Sequence, residues 1–226
     1  MVLKNILLTG GSGTLGTEIK KIEKNILTPS SREMDITSFS SVEDYFKNTN
    51  LDLVIHAAAY TNVSLAEKEF EKTIDVNVNG TYNILKNCIE RNIKLVYIST
   101  DYVFDGEKGN YTIEDPINPI TKYAKSKAAA ELMVRMYDNS HCIRTSFYGY
   151  EFPYDKALMD QFTTKDYIDI MAPKILNLCL SEKVGVSHCY SKKRSVYELA
   201  IERNKNVQKI KLKNLKNKIP HDTSLI

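Results

Sequence analysis

Four glycines within seven residues, in Thr9-Gly10-Gly11-Ser12-Gly13-Thr14-Leu15-Gly16, separate a short apolar run from an amphipathic one. Residues 2–9 (VLKNILLT) read as a buried strand. Residues 14–24, with Leu15, Ile19 and Ile22 on one side, read as a helix. A strand that turns at once into a helix needs glycine for the tight turn, for close approach of the backbone to a ligand, and for close packing of helix on strand. Two spacings satisfy this, Gly10-Gly13-Gly16 and Gly11-Gly13-Gly16. Either directs the free N–H groups of the helix start, at Thr14 and Leu15, toward a pyrophosphate. Dinucleotide binding is therefore expected here.

The rest of the chain repeats the alternation. Strands are predicted over residues 25–28, 51–59, 94–99 and 141–145. Helices are predicted after Ser40-x-x-Glu43, which has the form of a capping box, and over residues 74–91 and 121–137. Strands alternating with helices, without hairpin signals, imply an α/β fold: a Rossmann-like, doubly wound parallel sheet covered on both faces. After Thr145 the pattern changes to an aromatic-rich stretch over 147–167, a helix over 168–181 and a basic end. The expected organisation is a nucleotide-binding domain over residues 1–145 and a small C-terminal substrate lobe over 146–226. The lobe is expected against the carboxyl ends of the strands.

Composition excludes other classes. In 226 residues, 42% are hydrophobic and 26% charged, which suits a chain with a packed core. No apolar run approaches the roughly 20 residues that cross a bilayer, and no secretion signal is read at the N-terminus. Cys88, Cys142, Cys179 and Cys189 are scattered, with no Cys-x-x-Cys pair and no nearby histidine. Neither a metal site nor a disulfide scaffold is expected, and a reducing cytoplasm is. The net charge of +3 hides a basic segment: residues 192–218 hold eight Lys and two Arg against Glu198 and Glu202. With no aromatic interleaving or known binding motif beside it, this reads as a solvated face rather than a nucleic-acid surface, or as a basic wall beside a diphosphate. Oligomeric state is left open, with a homodimer as the candidate.

The cofactor type is set where the second strand ends. An acidic residue there would hold a ribose 2′-hydroxyl; Leu27-Thr28-Pro29-Ser30-Ser31-Arg32 offers hydroxyls and a guanidinium instead. Ser31 and Arg32 suit a 2′-phosphate, so NADPH is preferred to NADH. Arg32 as an ordinary surface residue is the alternative.

Tyr123 and Lys127 are four residues apart, on one face of a predicted helix. A cation near a phenol favours phenolate, and such a phenol can hand a proton to an oxygen whose carbon receives a hydride. A hydroxyl partner is available at the end of the 94–99 strand, from Ser99 or Thr100.

Together these stretches resemble the extended short-chain dehydrogenase/reductase superfamily, and within it the nucleotide-sugar reductases of the dTDP-4-dehydrorhamnose type. The carriers are TGGSGTLG (9–16), MDIT (34–37), HAAAYTNV (56–63), VNVNGTYN (76–83), STDYVFDG (99–106) and EDPINPITKYAKSKAAAE (114–131). The resemblance implies that Gly10, Gly13 and Gly16 carry the pyrophosphate and that Asp35 and Ile36 flank the adenine. It implies that Ala57, Ala58 and Ala59 line the channel toward the nicotinamide, and that Asn77 supports the site. Thr100, Tyr123 and Lys127 would be the catalytic trio, with Thr100 and Tyr123 also touching substrate. Asp101 followed by Tyr102, rather than by Glu, matches the reductases and not the dehydratases. Phe147 would lie near the sugar.

The resemblance weakens after Gly149, where the chain passes quickly to Met159-Asp160-Gln161-Phe162-Thr163-Thr164, an Asp-Gln motif without the usual Gly and Pro. The implied activity is NADPH-dependent reduction of a 4-keto-6-deoxy nucleotide sugar for polysaccharide synthesis. The alternatives are an epimerase or dehydratase holding NAD tightly, and a non-catalytic cofactor-binding subunit.

Overall fold

The computed structural model describes residues 5–215 and 219–226. The first expected strand begins outside these at residues 2–4; its described part is β1, Ile6–Thr9. Helix α1 (Thr14–Ile22) follows the glycine turn, then β2 (Ile26–Leu27), α2 (Phe39–Lys47) and β3 (Leu53–His56). Short helices α3 (Val63–Ala66) and α4 (Phe70–Ile74) lead through a wide π turn, Asp75–Asn79, into α5 (Gly80–Glu90). Strand β4 (Lys94–Thr100), helix α6 (Lys122–Val134) and strand β5 (Ser140–Thr145) complete the expected alternation.

Among the described residues the main sheet has six strands, all parallel. Their spatial order is β2-β1-β3-β4-β5 and then a late strand, β10 (Gly185–Cys189). The chain thus winds one way from β1 to β2 and the other way from β1 to β3. The crevice between the carboxyl ends of β1 and β3 is the switch point at which such sheets bind ligands.

Alternation along the strands fills both faces. Ile6 and Leu8 of β1 pack toward α1 and the late helix α7 (Ile168–Cys179), while Leu7 packs toward α2 and α5. Leu7, Leu8, Leu53 and Ile55 are fully buried, each stabilising the fold by roughly 1.5–3 kcal/mol.

Beyond β5 the chain does two things. Residues 168–189 return to the sheet, α7 against α1 and β10 beside β5. The remainder builds small two-stranded pairings over the strand ends: β6 (Phe147–Tyr148) with β9 (Asp166–Tyr167), β7 (Lys156–Leu158) with β12 (Gln208–Ile210), and β8 (Phe162–Thr163) with β11 (Arg194–Ser195). Helix α8 (Val196–Ile201) packs beneath them around Phe152, Tyr167 and Leu199.

Two local expectations are corrected. Helix α2 is capped by Ser38, whose hydroxyl accepts from the Ser41 N–H, so the helix starts two residues before the Ser40–Glu43 pair could cap it. A true capping box occurs instead at Ser195 and Glu198, opening α8. The strand predicted over 51–59 ends at His56, because Ala57–Ala59 turn away to border the crevice.

Candidate active site

A cleft of about 2010 Å³ runs across the carboxyl ends of the strands. That is about twice the upper end of the usual 300–1,000 Å³ of a small-molecule site, room for two ligands side by side. Gly10, Gly13, Thr14, Leu15, Gly16, Ser31, Asp35, Ile36, Ala57, Ala58 and Ala59 line it together with Thr100, Tyr123, Lys127 and Phe147. Arg32 is exposed and is not part of the lining; Ser30 and Ser31 are.

The cofactor end is built from close backbone contacts. Gly10 has φ +74°, and a Cβ there would lie 2.8 Å from the Ala58 nitrogen. A Cβ on Gly16 would lie 2.3 Å from the Gly10 carbonyl oxygen, so α1 can begin only if this residue has no side chain. Gly13 caps α1 without a side chain, and the first turn holds no acidic residue. Open N–H groups with no competing carboxylate suit a diphosphate, and the donor set fits a dinucleotide.

A hydrogen-bond chain behind the crevice links β1 to the helix that carries Tyr123. The Ala58 N–H donates to Thr9 Oγ1 at 3.1 Å, and Thr9 donates to His56 Nδ1 at 2.7 Å. Thr81 Oγ1 donates to the Asn77 carbonyl at 2.7 Å, so it must accept from His56 Nε2 at 3.0 Å. His56 is therefore neutral with its proton on Nε2, and burial brings its pKa down to about 3. The Asn77 amide takes over from there. Its oxygen accepts from the Tyr60 N–H at 2.7 Å, and its NH₂ donates to the Tyr60 carbonyl at 3.1 Å and to Ser126 Oγ at 2.9 Å. Ser126 donates to the Tyr123 carbonyl at 2.7 Å. The π turn over 75–79 turns Asn77 inward between the Ala57–Tyr60 loop and α6; such turns recur at functional sites.

Helix α6 starts at a Thr121 cap that accepts from the Ala124 N–H, and it sets Tyr123 and Lys127 into the cleft wall. The strand pleat separates the two candidate hydroxyls. Ser99 donates to Glu131 at 2.6 Å, in a buried cluster where Arg144 grips the same carboxylate at 2.7 Å. Thr100 points the other way, within hydrogen-bonding reach of Tyr123. Burial pushes the Tyr123 phenol up, and Thr100 and the cation of Lys165 oppose this. Lys127 is engaged elsewhere: it donates to the Ile98 carbonyl, stacks on Tyr97, and burial brings its pKa down to about 7.

The cleft wall near Tyr123 contains residues that the sequence patterns did not single out as site residues: Tyr102, Tyr148 and Lys165. Gln161 of the Asp-Gln motif also lines the cleft and donates to the Pro220 carbonyl at 2.8 Å, tying in the chain end. Their signal is positional only. Tyr102 follows Thr100 by two, and Lys165 follows the Asp-Gln motif, but their meeting depends on the β6–β9 pairing. None of the described basic residues of 192–215 lines the cleft; Lys216 and Lys218 lie outside the described residues. Arg194 pairs with Asp166, Lys193 with Asp222 and Arg203 with Asp169.

A parallel sheet with a glycine crevice at its switch point, and a threonine, tyrosine and lysine on the facing wall, defines an extended short-chain dehydrogenase/reductase fold. The chain belongs to the family described as RmlD substrate binding domain, whose model matches residues 4–177. It is 33% identical over 184 residues to dTDP-4-dehydrorhamnose reductase of Aggregatibacter actinomycetemcomitans, an overlap of 76% of this chain and 62% of that protein. It is 35% identical over 156 residues to the spore coat polysaccharide biosynthesis protein SpsK of Bacillus subtilis, covering 66% of this chain and 55% of that one. The chain thus spans less than two thirds of the length of these curated relatives. Among solved structures, a dTDP-4-dehydrorhamnose reductase of Bacillus anthracis in complex with NADP superposes with a TM-score of 0.90 at 25% identity, covering 100% of this chain and 91% of that one.

Proposed function

We propose that the chain is an NADPH-dependent reductase of a 4-keto-6-deoxy nucleotide sugar, serving polysaccharide synthesis. The observation that carries this is the placement of Thr100 and Tyr123 on the wall of a cleft whose other end is the glycine turn. The relatives' names and the NADP complex of the Bacillus anthracis protein support the substrate class and the cofactor.

NADPH, when bound, supplies the hydride. Gly10, Gly13 and Gly16 would admit its diphosphate to the α1 N–H groups; Ser31, Asp35 and Ile36 would border its adenosine half; and Ala57–Ala59 would guide it toward α6. Lys127, its ammonium held by Ile98, would offer its remaining protons to ribose hydroxyls. Tyr123 is the proton donor: burial keeps the phenol protonated until a carbonyl oxygen needs the proton. The phenolate left behind is stabilised by the Lys165 charge. Thr100 would turn its one hydroxyl proton from Asp101 to the substrate carbonyl, and Phe147 would bound the sugar. Holding the reacting partners in one geometry supplies most of the advantage.

Residues 1–145 with the returning α7 and β10 would bind the cofactor, and the rest of 146–226 would close over the sugar. A homodimer would use exposed apolar side chains of the neighbouring helices α5 and α6, Tyr82, Ile89 and Leu132. Four buried, unpaired cysteines suit a reducing cytoplasm. No described helix is long and apolar enough to cross a membrane.

The test is spectroscopic. The purified chain should oxidise NADPH stoichiometrically with dTDP-4-keto-6-deoxyglucose or its rhamnose-type epimer. Interconversion of sugars without net NADPH loss would replace the reading by an epimerase.

A further inference from the structure

The ammonium of Lys165 lies over two tyrosine rings, 4.9 Å from the centre of Tyr148 and 5.5 Å from that of Tyr102. Lys165, both rings and Tyr154 all line the cleft that holds Tyr123. Among the described residues this ammonium has no ion pair and no hydrogen-bond acceptor. The adjacent Asp166 and the electrostatic neighbour Asp101 hold other partners. Asp166 is held by Arg194 at 2.7 Å and by Ser191 at 2.6 Å. Asp101 accepts from Thr223 at 2.8 Å and from Thr100 at 3.2 Å.

An ammonium carries three donors and no acceptor. Ring faces attract its charge but take none of its protons in a strong hydrogen bond. A half-buried cation left in that state is costly unless a ligand completes it. Burial works against its charge, and the nearby Asp101 carboxylate works to keep the proton on it.

We infer that Lys165 is the oxyanion-recognition residue of the substrate half of the cleft, pairing with a diphosphate oxygen of the nucleotide sugar. The inference rests on the reductase reading for the identity of the ligand. Lys165 lines the cleft with ring faces but no acceptor around its ammonium among the described residues, so an oxyanion arriving there displaces no protein partner. A neutral sugar hydroxyl would gain far less from the same position.

The experiment is calorimetric titration of the full chain, saturated with NADPH, with dTDP, dTDP-glucose and dTDP-glucuronate. The last two differ only in the carboxylate. The proteins are wild type, Lys165→Met, Lys165→Gln and Lys165→Arg; NADPH fluorescence and thermal melting report whether each variant folds. If the partner is the diphosphate, all three probes should bind about tenfold or more weakly to the Met and Gln variants, with Arg restoring most of the affinity. A loss confined to dTDP-glucuronate would overturn the diphosphate assignment. Equal affinities for all probes in folded Lys165→Met or Lys165→Gln would overturn the assignment and leave the reductase reading standing. A wild-type chain that binds NADPH but none of the three probes would overturn both.

Discussion

Lys127 donates a 2.8 Å hydrogen bond to the carbonyl oxygen of Ile98. The bond joins α6 to β4 at the cleft, and it holds an ammonium that is only 3% exposed against the ring of Tyr97, 4.1 Å away. Burial lowers its pKa from 10.5 to about 7, with Glu131 opposing.

Stability should therefore carry the mark of this group. Between about pH 7 and 10.5 the unfolded chain binds the proton and the folded chain does not, so this group makes stability rise with pH across that window. Below pH 7 the full cost of burying the charge is present. Lys127→Met should be more stable than wild type at pH 6, by an amount that shrinks toward pH 10. Urea unfolding at the two pH values measures it; a constant difference would contradict the burial of a charged Lys127.

His56 gives a second window. Its folded pKa of about 3 lies below the ordinary 6.5, so the unfolded chain takes up a proton first as pH falls. The stability it contributes is complete above pH 6.5 and is lost on the way down to about pH 3. His56→Gln should cost stability at pH 7 and flatten the wild-type decline between pH 6 and 4. Melting temperatures across that range decide it.

Gly10→Ala places a Cβ 2.8 Å from the Ala58 nitrogen at a φ of +74°. The left-handed backbone and the clash together should cost about 2–4 kcal/mol, and NADPH affinity should fall about tenfold or more. Gly149→Ala is the control, since nothing lies within 4 Å of a Cβ there; it should change stability by less than about 0.5 kcal/mol.

The buried Glu131–Arg144 pair, with exposures of 0% and 1%, should behave as a unit. Glu131→Leu leaves the guanidinium uncompensated and should cost about 3–5 kcal/mol, whereas Glu131→Leu with Arg144→Met should recover most of that. Chemical unfolding of the two variants tests the coupling.

The sheet was legible because its strands are short apolar runs and because Gly10, Gly13 and Gly16 sit at one strand–helix junction. Tyr123 and Lys127 were legible from a four-residue spacing that only a helix makes meaningful. What escaped depends on tertiary placement. The strand Gly185–Cys189 has too few apolar residues to announce that it joins β5 as the sheet edge. The π turn at Asn77 leaves no composition signal. Lys165 gains its environment from Tyr102 and Tyr148, 63 and 17 residues away in the chain. Arg32 follows β2 where a 2′-phosphate would lie, and it is exposed next to the lining residue Ser31.

The most direct test concerns the phenol of Tyr123. Tyr123→Phe removes one oxygen from the cleft and leaves the glycine turn untouched. With a 4-keto-6-deoxy nucleotide sugar, NADPH oxidation should fall about 100-fold or more, while NADPH binding by fluorescence stays near the wild-type value. Turnover that survives in this variant would contradict the account.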